Sequence, residues 1–496
     1  MPKHLDILAF DLGAESGRAM LGRLDGDRLR LTEVYRFPNG PVAASDGLHW
    51  DVRRLFAEIE RGLALCCGQY GRPASIGIDA WGVDFALLDE QGRLLFDPFH
   101  YRDRRTEGVM EEAFKRVPRR EIFEQTGIQF LQINTLYQLL SMALAGSPLL
   151  ARAATFLTIP DLFNYRLTGR AVCEFTNATT TQFYDPRARA WATALLERLG
   201  IPTHFLPEVV MPGTVLGPLL PSVAGETAAR GVPVVAPACH DTGSAVAAVP
   251  ADGDDFAYIS SGTWSLVGVE VREPVVSDAG LAANLTNEGG VGGRFRLLRN
   301  VAGLWLLQEC RRIWAEGDAA PSYDELASLA EQAPPFLSLI DPDDSSFLSP
   351  PDMPAAIADF CRKTAQPVPP DRAATVRCVL ESLALRYRWV IEQLEAVQTK
   401  KVGVIHIVGG GSRNRTLCRF TADATGRRVL AGPVEATAAG NVIVQAMALG
   451  RLGSLEEGRA LVRRSFETAA YEPDDVAAWD DAYARFLALL GPSETA

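Results

Sequence analysis

The sequence predicts an α/β protein built from two similar lobes, and three observations carry that prediction. Short apolar runs of β-forming residues end abruptly in polar clusters, as strands do where an α/β sheet delivers side chains to a site. A strand, a tip rich in glycine and hydroxyls, and a returning apolar strand occur twice, about half a chain apart, in residues 5–24 and 256–267. Between the strands lie stretches with apolar residues at helical spacing.

In the first half, residues 5–10 form a strand that ends in Asp11-Leu12-Gly13-Ala14-Glu15-Ser16-Gly17-Arg18, and residues 19–24 return as a second strand. Such a tip offers backbone N–H groups and a hydroxyl together, which binds phosphate. Asp11, at the strand end, is placed to hold a hydrated Mg2+. Asp51 caps a helix with Val52, Leu55, Phe56, Ile59, Leu63 and Cys66 on one face. Residues 75–78 are a strand running into Asp79-Ala80-Trp81-Gly82-Val83-Asp84-Phe85. Between 120 and 215, helical patterns alternate with polar segments, and 176–182 reads as a loop with local side-chain hydrogen bonds. Residues 232–236 form a buried strand that brings His240-Asp241-Thr242 to its end, and a helix begins at Ala245. Residues 250–255 break it and divide the chain into lobes of 1–249 and 250–496.

The second half opens with a strand leading to Ser260-Ser261-Gly262-Thr263. A carboxylate at 241 beside this turn supplies a base and a phosphate cradle, the needs of phosphoryl transfer. Taken alone, the same residues equally fit a helix cap and an ordinary hairpin. A glycine-rich turn follows at 284–293, then Arg296 to Asn300 and a helix through Trp305 and Gln308. Residues 341–370, rich in Pro and Asp, read as a surface excursion. An amphipathic helix then carries Val376, Val379, Leu380, Leu383, Tyr387, Val390, Ile391 and Leu394 on one face. Residues 402–408 form a buried strand opening into Gly409-Gly410-Gly411-Ser412-Arg413-Asn414, and a βα unit at 428–449 closes the fold.

Several classes fall away. No lysine stands in a Gly-Lys-Ser/Thr loop, so a Walker A site is excluded. Arg415 occupies the place of the third glycine of a dinucleotide fingerprint. Residues 101–105 lack the asparagine of a protein-kinase catalytic loop. The 8 cysteines and 6 histidines show no metal-ligand spacing. Cys239 is expected to be a small buried residue at a strand end. A net charge of −12 without a basic cluster argues against nucleic acid. No signal peptide or apolar membrane span is visible, so a cytoplasmic protein is expected.

Two lobes, each with a phosphate hairpin and a cleft between them, are the plan of the actin-like (ribonuclease H-like) ATPases. The ordered series Asp11-Leu12-Gly13 with Ser16-Gly17-Arg18, Trp81 to Phe85, His240-Asp241-Thr242, Ser260 to Thr263 and Gly409 to Gly411 resembles the FGGY family of carbohydrate kinases over residues 5–455. Longer phrases at 75–85, 127–130 with 134–138, 165–169 with 176–182, 284–290, 303–308 and 432–436 are similar to the branch that phosphorylates O1 of L-rhamnulose. The resemblance implies ATP and Mg2+, with Asp241 as general base. It implies sugar contacts from Gly82, His240, Asp241, Thr242 and Asn300. ATP contacts would come from Ala14, Glu15, Ser16, Gly17, Arg18, Thr263, Gln308, Gly410, Gly411 and Asn414, and Asp11 would serve the metal. L-Rhamnulose ends in a methyl group, and Trp81 with Phe85 is the expected apolar wall for it. Glu15 departs from the family pattern, and its carboxylate would repel phosphate unless it points outward. The alternatives are another ketose, such as L-fuculose or xylulose, or an actin-like ATPase without a sugar; the expected state is monomer or homodimer. Cys361 and Cys378 are spaced for a bridge, but a reducing compartment favours free thiols throughout.

Overall fold

The structure, a computed structural model, describes residues 4–225, 227–315 and 321–490. An antiparallel meander opens it: β1 (His4–Leu12), β2 (Ser16–Asp25) and β3 (Arg28–Pro38). Asp51 accepts a hydrogen bond from Arg54 N at 2.9 Å and so caps α1 (Val52–Tyr70). Val52, Leu55, Ile59, Leu63 and Cys66 are buried on the expected face, while Phe56 is half-buried against Phe163. β4 (Ile76–Ala80) runs parallel to β1. After a helix-rich segment that includes the one-turn α2 (Phe175–Ala178) come β5 (Thr214–Pro218) and β6 (Pro233–Ala236). The first sheet has six strands in the order β5-β6-β4-β1-β2-β3.

Side chains alternate between the faces of β1, and both faces are covered. Leu8, Phe10 and Leu12 pack with α1, whereas Ile7 and Ala9 pack in a second cluster with residues from the far end of the chain. This double burial explains why β1 reads as one continuous apolar run.

α3 (Asp241–Ala247) starts at Asp241 itself, earlier than the apolar run beginning at Ala245 indicates. The polar residues of its first turn are held by near neighbours, Asp241 Oδ1 by Thr242 and Ser244 Oγ by Ala238 O at 2.8 Å, a feature that local apolar spacing does not register. The second sheet is built from β7 (Phe256–Ser261), β8 (Trp264–Val271), β9 (Thr286–Gly289), β10 (Phe295–Ala302), β11 (Val404–Val408), β12 (Arg428–Ala431) and β13 (Ala469–Tyr471). Its order is β9-β10-β8-β7-β11-β12-β13. β7 pairs with β8 antiparallel and with β11 parallel, as β1 pairs with β2 and β4. The repeated hairpin is therefore a repeated sheet core.

The helices of this half are α4 (Trp305–Trp314), α5 (Arg372–Gln398), α6 (Arg415–Thr425) and α7 (Ala436–Ala448). α5 is buried on most of its circumference, not along one stripe. Its charged residues survive burial through partners, Glu381 taking Arg377 Nε at 2.6 Å and Phe336 N at 2.9 Å. The expected surface excursion at 341–370 is corrected too. Phe347, Met353, Ile357, Phe360 and Cys361 enter the core against α5, and proline content had concealed the helix Met353–Lys363. All eight cysteines are free, Cys361 and Cys378 among them.

α7 ties the halves together. A Cβ on Gly440 would lie 1.7 Å from the Ser244 carbonyl oxygen, so only glycine permits this crossing with α3. One turn on, Gln445 accepts from Ser75 Oγ at 2.7 Å and donates to Leu8 O at 3.1 Å, fixing α7 to the first sheet.

Candidate active site

The hairpin tips at 13–16 and 261–263 face a common cavity of about 350 Å³, and α3 begins at its floor. Of the expected site residues, Asp11, Ala14, Glu15, Ser16, Arg18, Trp81, Gly82, His240, Asp241, Thr242, Thr263, Asn300, Gln308 and Gly410 line it. Gly17, Gly411 and Asn414 do not. Gly17 lies against the Phe37 ring, and Gly411 is packed on Ser261. Asn414 accepts from Leu417 N at 2.9 Å and caps α6. Each belongs to a site segment by sequence, but its side of the backbone faces the protein.

The loop from β6 to α3 is held from below by Glu174, the cap of α2. Glu174 accepts from Cys239 N at 2.9 Å and from Thr176 Oγ1 at 2.5 Å, and Thr176 Oγ1 in turn accepts from His240 N at 3.0 Å. Residues 176–182 are thus a buried support for the site, not a plain loop. Thr180, whose hydroxyl accepts from Val83 N at 3.1 Å, lines the cavity directly. Cys239 is fully buried and its thiol is pushed well up by that burial, so it is no nucleophile.

Asp241 uses one carboxylate oxygen for structure. Oδ1 accepts from Thr242 N and, at 3.2 Å, from Thr242 Oγ1, with His240 Nε2 at 3.5 Å. Oδ2 has no hydrogen-bond partner among the described residues. Burial raises the Asp241 carboxyl above its ordinary value; His240 opposes this shift and Asp11 adds to it. A carboxylate lifted in this way and turned toward a cavity is suited to accepting a proton.

At the first tip, Asn39 Nδ2 donates to Gly13 O at 2.8 Å, and Gly13 N donates to Ser16 O at 2.9 Å. The N–H groups of Ala14 and Glu15 take no backbone partner among the described residues and remain for an anion. Arg18 bridges Asp11 of its own lobe and Glu435 before α7. Asp79 stands opposite Asp11 in the β1–β4 register and accepts from Asn441 Nδ2 at 2.5 Å. Burial, then the Asp11 charge, raises the Asp79 carboxyl. Glu15 lines the cleft. It is solvent-exposed at the rim, and partial desolvation, then the Glu309 carboxylate, raise it.

At the other end the wall is apolar. Trp81 is both core and lining: its ring lies 4.1 Å from that of Trp50, and its Nε1 donates to Asp84 Oδ2 at 3.0 Å. Asp84 also receives Trp50 Nε1 at 2.6 Å and Gln138 Nε2 at 2.9 Å, and burial lifts it to about 6. Phe85 does not reach the cavity; its ring stacks on Phe156 in the core. Val83, Tyr101, Ile128, Leu131 and Ile133 complete the wall in its place. Sequence reasoning also missed Gln129, whose Oε1 accepts from Asn300 N at 2.8 Å and Asn300 Nδ2 at 3.0 Å and whose Nε2 donates to Asn300 O at 3.2 Å across the cleft. The side-chain oxygens of Thr286 and Gln308 are buried without a partner at the cavity wall, as befits groups awaiting a ligand.

Two sheets of like topology, a phosphate hairpin from each and a carboxylate between them define a two-lobe phosphotransferase architecture. Residues 7–248 match the N-terminal domain, and 257–449 the C-terminal domain, of the FGGY family of carbohydrate kinases. The chain belongs to that family and is a sugar kinase. It is 46% identical over 481 residues to a rhamnulokinase of Bacteroides thetaiotaomicron, covering 97% of this chain and 98% of that one. It is 44% identical to a rhamnulokinase of Pectobacterium carotovorum, covering 99% and 97%. Among solved structures, a gluconate kinase from Lactobacillus acidophilus superposes with a TM-score of 0.79 at 17% identity, covering 98% and 97% of the chains. A xylulose kinase from Rhodospirillum rubrum gives 0.78 at 20%, covering 98% of each. These two likenesses speak for the fold. Among the described residues, no helix is long and apolar enough to cross a membrane.

Proposed function

We propose that this kinase transfers the terminal phosphoryl group of ATP to O1 of L-rhamnulose, with Asp241 as the base. The observation that carries the reading is Asp241 itself: Oδ1 is engaged, Oδ2 is free, and the cavity it faces joins an apolar wall to two phosphate-binding tips. The relatives identical at 44–46% over nearly the full length support the choice of sugar.

A sugar hydroxyl is a poor nucleophile until its proton has somewhere to go, and Asp241 accepts it as the oxygen attacks. His240, Thr242 and Asn300 hold the polar end of the sugar, and Trp81 with its apolar neighbours receives the methyl end. The N–H groups at residues 14–15 and the hydroxyl of Thr263 hold phosphate oxygens as charge spreads over them. Asp11 suits Mg2+, a hard cation that needs only one or two carboxylates beside phosphate and water, and Asp79 lies opposite it. Bound there with the nucleotide, Mg2+ neutralises phosphate charge. Closure of lobes 1–249 and 250–496 would exclude water from the transfer.

The test is ADP release measured over L-rhamnulose, L-fuculose, L- and D-xylulose and glycerol. The highest kcat/KM should fall to L-rhamnulose, with lesser activity on other ketoses because an apolar pocket rejects an added hydroxyl only about 10²-fold. A clear preference for another ketose would overturn the assignment.

A further inference from the structure

We propose that Glu288 and Arg296 are positioning residues that hold the His240 ring with a proton on Nε2 facing Asp241 Oδ1, so that Oδ2 is the oxygen presented to the sugar. The proposal rests on Asp241 being the base.

Glu288 on β9 and Arg296 on β10 are direct cross-strand partners in an antiparallel pair, so both side chains leave the same face of the second sheet. Both are buried, Arg296 completely. Arg296 Nε donates to Gly289 O at 2.8 Å, which sets the guanidinium. Its terminal nitrogen then lies 3.1 Å from Glu288 Oε2 and 3.1 Å from His240 Nδ1, and Glu288 Oε2 lies 3.2 Å from the same Nδ1. His240 belongs to the loop below the first sheet, so the contact crosses between the lobes.

The chemistry of these groups limits the imidazole. An arginine can only donate. If Nδ1 accepts from Arg296, the ring is neutral and its proton is on Nε2. If Nδ1 carries a proton, the acceptor beside it is Glu288 Oε2 at 3.2 Å. A bare Nε2 would then set a lone pair 3.5 Å from the Asp241 carboxylate, which disfavours that form, so Nε2 is protonated in this case as well. Both permitted states point N–H at Oδ1. A buried ion pair is a weak source of net stability, so its placement against the histidine beside the base is what gives it meaning. Asp11 and Asp79, both carboxylates from the first sheet, also act near Asp241, with Arg18 paired to Asp11 beside them.

Nitrogen NMR of the histidine-labelled wild-type enzyme reads the ring without any substitution. The expected result is a protonated Nε2 at neutral pH; a neutral ring protonated on Nδ1 alone would overturn the proposal. Glu288→Gln should lower kcat on the order of ten- to a hundredfold while KM for ATP changes less than about twofold. Its acidic limb should move to higher pH, because Asp241 loses an N–H held beside Oδ1. Simple removal of a nearby negative charge moves that limb the other way, and such a shift counts against positioning. In a His240→Ala background the same substitution should cost nothing more, whereas an equal loss in both backgrounds refutes coupling through the ring. Glu288→Asp replaces Glu288→Gln if the latter fails to fold, and should retain part of the rate. Wild-type-like turnover in Asp241→Asn would be a separate failure, that of the base itself.

Discussion

The two hairpin tips share a topology and divide the chemistry. The β1–β2 tip is charged: Asp11, Glu15 and Arg18 surround it, with Glu435 reaching in from the other half. The β7–β8 tip is neutral, made of Ser260, Ser261, Gly262 and Thr263, and is backed by a Ser265–Tyr387 hydroxyl pair at 2.7 Å. With Asp241 added, the first lobe supplies Asp11, Glu15, Arg18 and Asp241 to the cavity, whereas the hairpin tip of the second supplies only hydroxyls and backbone. The two hairpins share a geometry and differ in side chains, so substitutions on the two sides should differ in size as charged and neutral interactions do.

The charged side should give the largest effect. Asp241→Asn is expected to lower kcat by about 10²–10⁴, the range for loss of a general base. The raised pKa also fixes two signs. The working carboxylate is lost as pH falls through that pKa, so the acid limb of kcat/KM should lie above the ordinary aspartate value of about 3.9. Protonation stabilises a buried carboxyl whose folded pKa is raised. That stability is present below the unfolded pKa and lost as pH rises through the folded one. Asp241→Asn should therefore melt no lower than the wild type at neutral pH, and a large drop in Tm would mean that Asp241 is structural.

Asp11→Ala comes next, with a loss on the order of 10²-fold, the scale for removing one stabilising group from phosphoryl charge. A steady-state titration should show a higher Mg2+ requirement. Normal rates at low Mg2+ would return Asp11 to a purely structural role as the partner of Arg18. On the neutral side, Thr263→Val removes one uncharged donor worth about 1 kcal/mol, roughly a fivefold change in kcat/KM for ATP. A loss there as large as that of Asp11→Ala would erase the division between the tips.

Both tips and the turn at His240-Asp241-Thr242 were legible because their signals are local: glycine with hydroxyls at a strand end, and His-Asp-Thr after an apolar run. Glu288 and Arg296 were not, because their meaning depends on the β9–β10 register and on a histidine about fifty residues earlier. The available hint was a charged residue inside an apolar strand, Phe295-Arg296-Leu297, just after the glycine-rich turn. Phe85 misled for a related reason. Its strand, Phe85–Leu88, is buried on both faces, so no alternation marks which side meets the cavity. Trp81 was legible only as an aromatic at a strand end; the Asp84 hub that orients it is assembled by Trp50 and Gln138 from distant segments.

The smallest effect belongs to a residue that sequence resemblance places at the nucleotide. Asn414 closes the glycine turn after β11, where a side-chain amide is a natural phosphate contact. In the structure its oxygen instead accepts from Leu417 N at 2.9 Å, leaving the turn to end in a helix cap. Gly410, earlier in the same turn, lines the cavity while Asn414 does not. Removal of such a cap costs about 1 kcal/mol of stability and touches no reacting group. Asn414→Ala should therefore lower the unfolding midpoint in denaturant slightly, with kcat and KM for ATP unchanged within about twofold. A rise in KM for ATP at unaltered stability would place Asn414 back at the nucleotide and give the second lobe a larger share of binding than its neutral tip implies.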